Sequence, residues 1–104
     1  MSANVPPRRP LKPATQLVHG GTQRSSFGEL SEALYLTQSF AYPTMEAAEA
    51  RFKGEEPGFI YSRFSNPTVA MFEQRMILLE GAEAARATAS GMAAVTASLL
   101  AQLK

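Results

Sequence analysis

The chain has 104 residues and a hydrophobic fraction of 45%, which fits one small globular domain and argues against wholesale disorder. We expect a domain of this size to bury about 60–65% of the surface of its unfolded chain. The formal net charge of +1 gives no electrostatic reason to expect nucleic acid or an anionic membrane as a partner. Cysteine is absent, which excludes disulfides and thiolate metal sites and fits a cytoplasmic protein. The sequence predicts no metal site and no membrane span.

The first part of the chain predicts little regular structure. Residues 1–14 are rich in proline, so we expect a flexible arm. Thr15 to His19 favour one or two helical turns, ended by Gly20 and Gly21. A polar loop should follow, and then Leu34 to Tyr42 is richer in β-formers and aromatic residues, which predicts an extended segment or short strand.

Three helices are predicted after Pro43, each from its cap residues. The first has Thr44 as N-cap and ends near Gly54, and the second has Asn66 as N-cap, Pro67 at its first position and Gly81 after its end. The third begins at Ser90. Apolar stripes at helical spacing predict one buried face on the second helix and a matching stripe on the third; the residues are Val69, Phe72, Met76 and Leu79, then Met92, Val95, Leu99 and Leu103. Between these two helices, residues 83–89 predict a short strand or a tight connector.

Ser90-Gly91-Met92 is a candidate anion site. A helix N-terminus carries amide N–H groups that have no intrahelical acceptor, and a phosphate group can accept their hydrogen bonds. Glycine allows close approach, and the Ser90 hydroxyl can contact the anion or cap the helix. Most Ser-Gly helix starts are only caps, so by itself this pattern favours the structural interpretation.

Tyr61 and Arg63 form a second candidate. Residues two apart on an extended segment point to the same side, so a phenol hydroxyl and a guanidinium would converge on one anion. The alternative is a surface tyrosine beside a solvated arginine, which is the commoner case for such a pair. The pair lies directly before a well-capped helix, which should fix the backbone position of both residues. This favours the functional interpretation.

Together these segments resemble the Cys/Met-metabolism family of pyridoxal-phosphate (PLP) enzymes, from about Thr15 to the end of the chain. The resemblance lies in the order and spacing of several short pieces. They are Val18-His19-Gly20-Gly21, Thr37 to Phe40, Tyr61-Ser62-Arg63 with Asn66-Pro67-Thr68, Leu79-Glu80-Gly81-Ala82, and Ser90-Gly91-Met92-Ala93-Ala94.

The resemblance implies an α/β fold, that of the aspartate-aminotransferase-like fold type I enzymes. This chain would supply the N-terminal arm and first helices of the large domain, and would itself be mostly α-helical. Residues 15–60 would contact a neighbouring subunit, and residues 61–104 would begin the PLP-binding domain. We expect exposed apolar faces on such a piece.

The resemblance also implies site roles and partners. Amides at Gly91 and Met92, with Ser90, would hold the PLP phosphate within one subunit. Tyr61 and Arg63 would reach the phosphate of a neighbouring subunit, and Tyr61 would also assist proton transfer. The active sites would then require a homodimer, and a homotetramer is usual in the family.

The family's Schiff-base lysine, its aspartate facing the pyridine nitrogen and its ring-stacking aromatic residue have no match in this sequence. All nine acidic residues are glutamates, and the three lysines are Lys12, Lys53 and Lys104. We therefore expect the 104-residue chain to be inactive by itself, as one part of a larger enzyme.

Within the family, Ser31 to Thr37 and Ala41 to Thr44 look most like O-succinylhomoserine sulfhydrylases. Those enzymes exchange the succinyl group of an amino-acid substrate for sulfide and form homocysteine, a step of methionine biosynthesis. Cystathionine γ-synthase and methionine γ-lyase stay open as alternatives. Two interpretations from other classes are a non-catalytic module that docks on a full-length relative, and a small helical domain without a ligand.

Overall fold

The structure, a computed structural model, describes residues 10–103. Four α-helices lie in this range: α1 (Pro13–His19), α2 (Met45–Phe52), α3 (Pro67–Glu80) and α4 (Gly91–Gln102). The prediction of a mostly helical chain is confirmed. The flexible arm predicted for residues 1–14 falls largely outside the described residues, and α1 begins two residues before the predicted Thr15.

The caps named from the sequence start the three longer helices. The Thr44 and Ser90 hydroxyls accept hydrogen bonds from the backbone N–H groups of Ala47 and Ala93, at 3.0 and 3.1 Å. Asn66 caps α3 by accepting from the Thr68 N–H at 2.9 Å, with Pro67 in the first turn. Gly81 ends α3 with φ of +62°, a left-handed conformation in which a Cβ atom is unfavourable.

Residues 34–42 and 83–89, each predicted as a strand or as a non-strand alternative, form no strand within residues 10–103. Residues 34–42 are irregular with a bend at Gln38, and the β pairing found among residues 10–103 is a single antiparallel bridge between Ser39 and Tyr61. Residues 83–89 form a connector, held at one point by a hydrogen bond from the Ala87 N–H to the Glu73 carboxylate at 2.7 Å. A strand needs a partner strand for its backbone groups, and neither segment has a full-length one within the described chain.

α1 packs against α3 through the two glycines that end it. A Cβ on Gly20 would lie 3.2 Å from Leu78 Cδ1, and one on Gly21 would lie 3.0 Å from Gln74 Cβ. Gly21 also has φ of +74°, so this close approach and this turn both require glycine. Arg75 fixes the same junction, because its Nε donates to the Gly20 carbonyl at 2.8 Å and its Nη2 to Thr22 Oγ1 at 3.0 Å. The guanidinium also pairs with Glu32.

The buried face of α3 differs from the predicted one. Met71 is 2% exposed and is the core apolar residue of the described chain, while Val69 and Phe72 are exposed. Hydrogen bonds from Asn66, Thr68 and Arg75 hold residues 20–35 over the neighbouring face of the helix. The predicted apolar stripe of α3 is therefore present in the sequence. Residues 20–35 nevertheless pack on a different face of α3, because polar contacts hold them there.

The chain leaves more surface exposed than a compact domain would. Its accessible surface is 8862 Å², against about 5,700 Å² expected for a compact protein of 11.2 kDa. The expectation of 60–65% burial is therefore wrong, since about 45% is buried on the same scale. The exposed side chains include the whole predicted α4 stripe, namely Met92, Val95, Leu99 and Leu103. In the described residues, no helix is long and apolar enough to cross a membrane.

Candidate functional site

The Tyr61–Arg63 segment is a turn, so the extended geometry predicted for it is wrong. The N–H groups of Phe64 and Ser65 both donate to the Tyr61 carbonyl, at 3.0 and 3.2 Å. The turn still brings the two side chains together. The Arg63 guanidinium carbon lies 5.9 Å from the centre of the Tyr61 ring and 5.4 Å from that of Phe64. Cation–π attraction to two rings orients the exposed arginine.

Tyr61 is held by contacts with residues 38–39. Its hydroxyl accepts a hydrogen bond from Gln38 Nε2 at 2.8 Å, and Ser39 bridges its backbone. The ring borders a groove of about 390 Å³, the tyrosine groove, which Phe40, Tyr42, Phe52 and Phe64 also line. The sequence assigns Gln38 no role of its own. Its contact with Tyr61 depends on a pairing 23 residues apart, which no local pattern signals.

Asn66 joins the turn, residues 34–42 and α3. Besides capping α3, its Nδ2 donates to the Tyr35 carbonyl at 2.9 Å and to Ser62 Oγ at 3.0 Å. Ser62 Oγ in turn donates to the Thr37 carbonyl. The sequence identified Asn66 as a cap, and the structure adds these contacts. At 8% exposure Asn66 is a buried polar residue whose hydrogen bonds are satisfied.

The α4 N-terminus borders a second groove, of about 370 Å³, which we call the α4 groove. Ser90 and Gly91 line it together with Phe72, Met76 and Arg86. Met92 does not line it, and its side chain is exposed. The Glu73 carboxylate also borders this groove but accepts the Ala87 N–H. The α4 groove and the tyrosine groove have no lining residue in common.

The amides at the start of α4 are available to an anion. Within residues 10–103 neither the Gly91 nor the Met92 N–H has a hydrogen-bond acceptor, whereas Ala93 and Ala94 donate to Ser90. A Cβ at Gly91 would meet nothing within 4 Å, so the space beside these amides is open. Two unpaired N–H groups at the positive end of a 12-residue helix suit a phosphate group.

The described lysines lie away from both grooves. Lys12 precedes α1 as its exposed cap residue, and Lys53 forms an ion pair with Glu49 at 2.7 Å on the surface of α2. Neither groove is lined by a lysine among the described residues. Neither groove therefore presents a lysine amine from the described residues.

Comparison with known proteins decides the family. The family described as Cys/Met metabolism PLP-dependent enzyme matches residues 14–104. The chain belongs to this family. The prediction of the family, its fold and its PLP cofactor is thereby confirmed.

Individual relatives extend the match. O-succinylhomoserine sulfhydrylase of Mycobacterium tuberculosis is 55% identical over 86 residues, 83% of this chain and 21% of that protein. L-methionine gamma-lyase of Pseudomonas putida is 46% identical over 87 residues, 83% of this chain and 22% of that protein. The chain thus spans about a fifth of the length of the curated relatives it matches.

A solved structure agrees in fold. It is a putative O-acetylhomoserine (thiol)-lyase of Campylobacter jejuni, solved with N'-pyridoxyl-lysine-5'-monophosphate. The two chains superimpose with a TM-score of 0.81 and 33% identity, over 88% of this chain and 23% of that one. The free amides, the Ser90 hydroxyl and the open space at Gly91 fit the phosphate of PLP.

Proposed function

We propose that this chain is the N-terminal part of a cytoplasmic PLP-dependent enzyme that converts O-succinylhomoserine and sulfide to homocysteine and succinate. The observation that carries this proposal is the 55% identity with an O-succinylhomoserine sulfhydrylase, set against 46% with a methionine gamma-lyase. The 104-residue chain alone is not expected to catalyse, since it contains no aspartate and no lysine borders its described grooves.

In this proposal the α4 N-terminus holds the cofactor phosphate. The Gly91 and Met92 amides donate to phosphate oxygens, and Ser90 keeps the helix start in place by capping it. When bound, PLP supplies an electron sink for the negative charge that develops on the substrate beside its amino group. The chain's own contribution is to fix the cofactor in position.

Tyr61 and Arg63 act on the phosphate held by a neighbouring subunit. Two separate grooves on one chain support this arrangement, because the tyrosine groove of one subunit can then complete the α4 groove of another. Arg63 offers a guanidinium fork to phosphate oxygens, and Tyr61 offers its hydroxyl. We assign Tyr61 the additional role of moving a proton across this dimer interface. A homodimer is then the minimal active unit, within a homotetramer.

The experiment uses the polypeptide that carries this sequence in its native source. Its intact mass is measured first, and a value several-fold above 11.2 kDa is expected. The purified protein is then given PLP with O-succinylhomoserine and sulfide, and homocysteine is measured. Cystathionine from added cysteine would favour a cystathionine γ-synthase instead, and release of methanethiol from methionine would favour a lyase.

The exposed apolar surface of α4 supports the second candidate, a non-catalytic module that docks on a full-length relative. This candidate requires a native polypeptide of 11.2 kDa that co-elutes with such a relative in gel filtration. A native mass several-fold larger rules it out.

A further inference from the structure

Among residues 10–103, the Tyr61 hydroxyl has one hydrogen-bond partner, which lies 23 residues earlier in the sequence. Gln38 Nε2 donates to this oxygen at 2.8 Å. A phenol hydroxyl can accept hydrogen bonds and has one proton to donate. Because Gln38 uses the accepting side, the proton of Tyr61 stays available for an anion.

The backbone around Gln38 is fixed independently of this contact. Its carbonyl accepts the Ser62 N–H at 2.9 Å, and the neighbouring Ser39 forms the antiparallel bridge with Tyr61. One residue earlier, the Thr37 carbonyl accepts from Ser62 Oγ, which Asn66 holds in turn. The Gln38 side chain therefore starts from a defined position directly beside the phenol.

The chemistry of the pair suits phosphate binding. A hydrogen bond received by the phenol oxygen polarises its O–H group and strengthens the bond that this group donates. The Arg63 guanidinium, stacked over the Tyr61 and Phe64 rings, adds a positive charge to the same turn. Tyr61 thus receives a hydrogen bond from the neutral Gln38 amide and keeps its own proton for an anion. The Arg63 cation lies over its ring.

We propose that Gln38 is a positioning residue for Tyr61, directing the phenol proton toward the cofactor phosphate held by a neighbouring subunit. This inference rests on the proposed function, because it assumes that Tyr61 meets that phosphate. It extends the proposed function by naming a residue outside the Tyr61–Arg63 pair that orients the Tyr61 hydroxyl.

The test measures dissociation constants of the native, full polypeptide for PLP and for pyridoxal, which lacks the phosphate. In Gln38→Ala we expect the dissociation constant for PLP to rise about three- to tenfold, as loss of one hydrogen bond allows. Binding of pyridoxal should be unchanged. General damage to the fold would weaken both ligands together, so the ratio of the two constants isolates the phosphate contact.

Two further variants sharpen the test. In Gln38→Glu the side chain accepts the phenol proton and brings a negative charge toward the phosphate, so the loss of PLP affinity should be at least about tenfold. Gln23→Ala removes an exposed glutamine outside both grooves and should leave both constants unchanged. Thermal melting of each variant should match the wild type.

The outcomes separate the two proposals. Equal PLP affinity in Gln38→Ala and Gln23→Ala, or a Gln38→Ala loss shared by pyridoxal, would overturn the role of Gln38 and leave the enzyme proposal standing. A wild-type polypeptide that does not bind PLP overturns both. A phosphate-specific loss in a polypeptide that forms no homocysteine supports Gln38 and overturns only the proposed reaction.

Discussion

Arg63 is the cation that the proposed function needs at the cofactor phosphate, and its orientation rests on two aromatic rings. We expect Arg63→Ala to weaken PLP binding about 10- to 100-fold, because charge-assisted hydrogen bonds are lost. Arg63→Lys should fall between this variant and the wild type, since lysine keeps the charge without the planar fork. Absorbance titration of the native polypeptide with PLP measures the dissociation constant of each variant. Lys53→Ala, which removes a surface cation on α2, is the control and should bind PLP normally.

Asn66 carries more hydrogen bonds than a cap requires. Asn66→Ala should lower the free energy of unfolding by about 2–3 kcal/mol, because it removes the cap and leaves the part-buried Tyr35 carbonyl without its donor. Urea denaturation of the native polypeptide checks this. Thr44→Ala removes a cap with a single bond at an exposed site and should cost about 1 kcal/mol. Equal losses in the two variants would show that the additional contacts of Asn66 contribute nothing.

Glu32 should make stability depend on acid pH. Its own backbone N–H, and then the Arg75 guanidinium, lower the pKa of its carboxyl below the ordinary 4.5. The ionised form therefore stabilises the fold above pH 4.5, and this stabilisation is lost as pH falls through the lower folded pKa. In urea midpoints measured from pH 7 downward, Glu32→Gln should be less stable at neutral pH, and its difference from wild type should shrink in acid. Glu83→Gln, in the exposed connector, should follow the wild-type profile.

At the scale of elements, Arg75 ties the segment after α1 to α3. Three acceptors from residues 20–32 meet its guanidinium. Arg75→Met should leave α3 intact and free this segment, so that amide exchange across residues 20–32 becomes at least about tenfold faster. Hydrogen exchange with mass spectrometry resolves the segment. Arg86→Met, at the α4 groove, is the control and should not change amide exchange in residues 20–32. Equal acceleration in both variants would contradict the conclusion that Arg75 holds this segment on α3.

The sequence predicts helix starts well because their causes are local. Thr44, Asn66 and Ser90 each bond an N–H two or three residues away, and such spacing is visible in the sequence. The contacts that build the tyrosine groove are different, since Gln38 meets Tyr61 across 23 residues and Asn66 meets Tyr35 across 31. These pairings, and the turn at Arg63, depend on packing that no short pattern contains.

The family resemblance supplied what local patterns could not. Neither Ser90-Gly91 nor Tyr61 with Arg63 is specific alone, and the order of several such pieces identified the family. The assignment of these residues to the cofactor stays a prediction. The structure adds free amides at Gly91 and Met92 and places Tyr61 in a separate groove.

At the scale of the whole molecule, the four helices within residues 10–103 share only a small apolar core around Met71. Its radius of gyration is 16.8 Å, against about 13 Å for a compact domain of this length. Large apolar side chains are exposed throughout the described residues, among them Phe27, Leu36, Met92 and Leu99. Helical stability in proteins comes mainly from packing of apolar faces, and here most of these faces have no cover within the described chain.

The isolated 104-residue polypeptide should therefore lack a cooperative thermal transition. We expect helical circular dichroism that fades gradually on heating, binding of a hydrophobic dye at low temperature, and self-association that increases with concentration. The same sequence within a several-fold larger native polypeptide should melt sharply, because the apolar faces would be covered. A sharp, concentration-independent melt of a monomeric 104-residue chain would contradict this. It would mean that residues 1–104 are sufficient for a stable fold and that the exposed α4 stripe serves something other than the family's large domain.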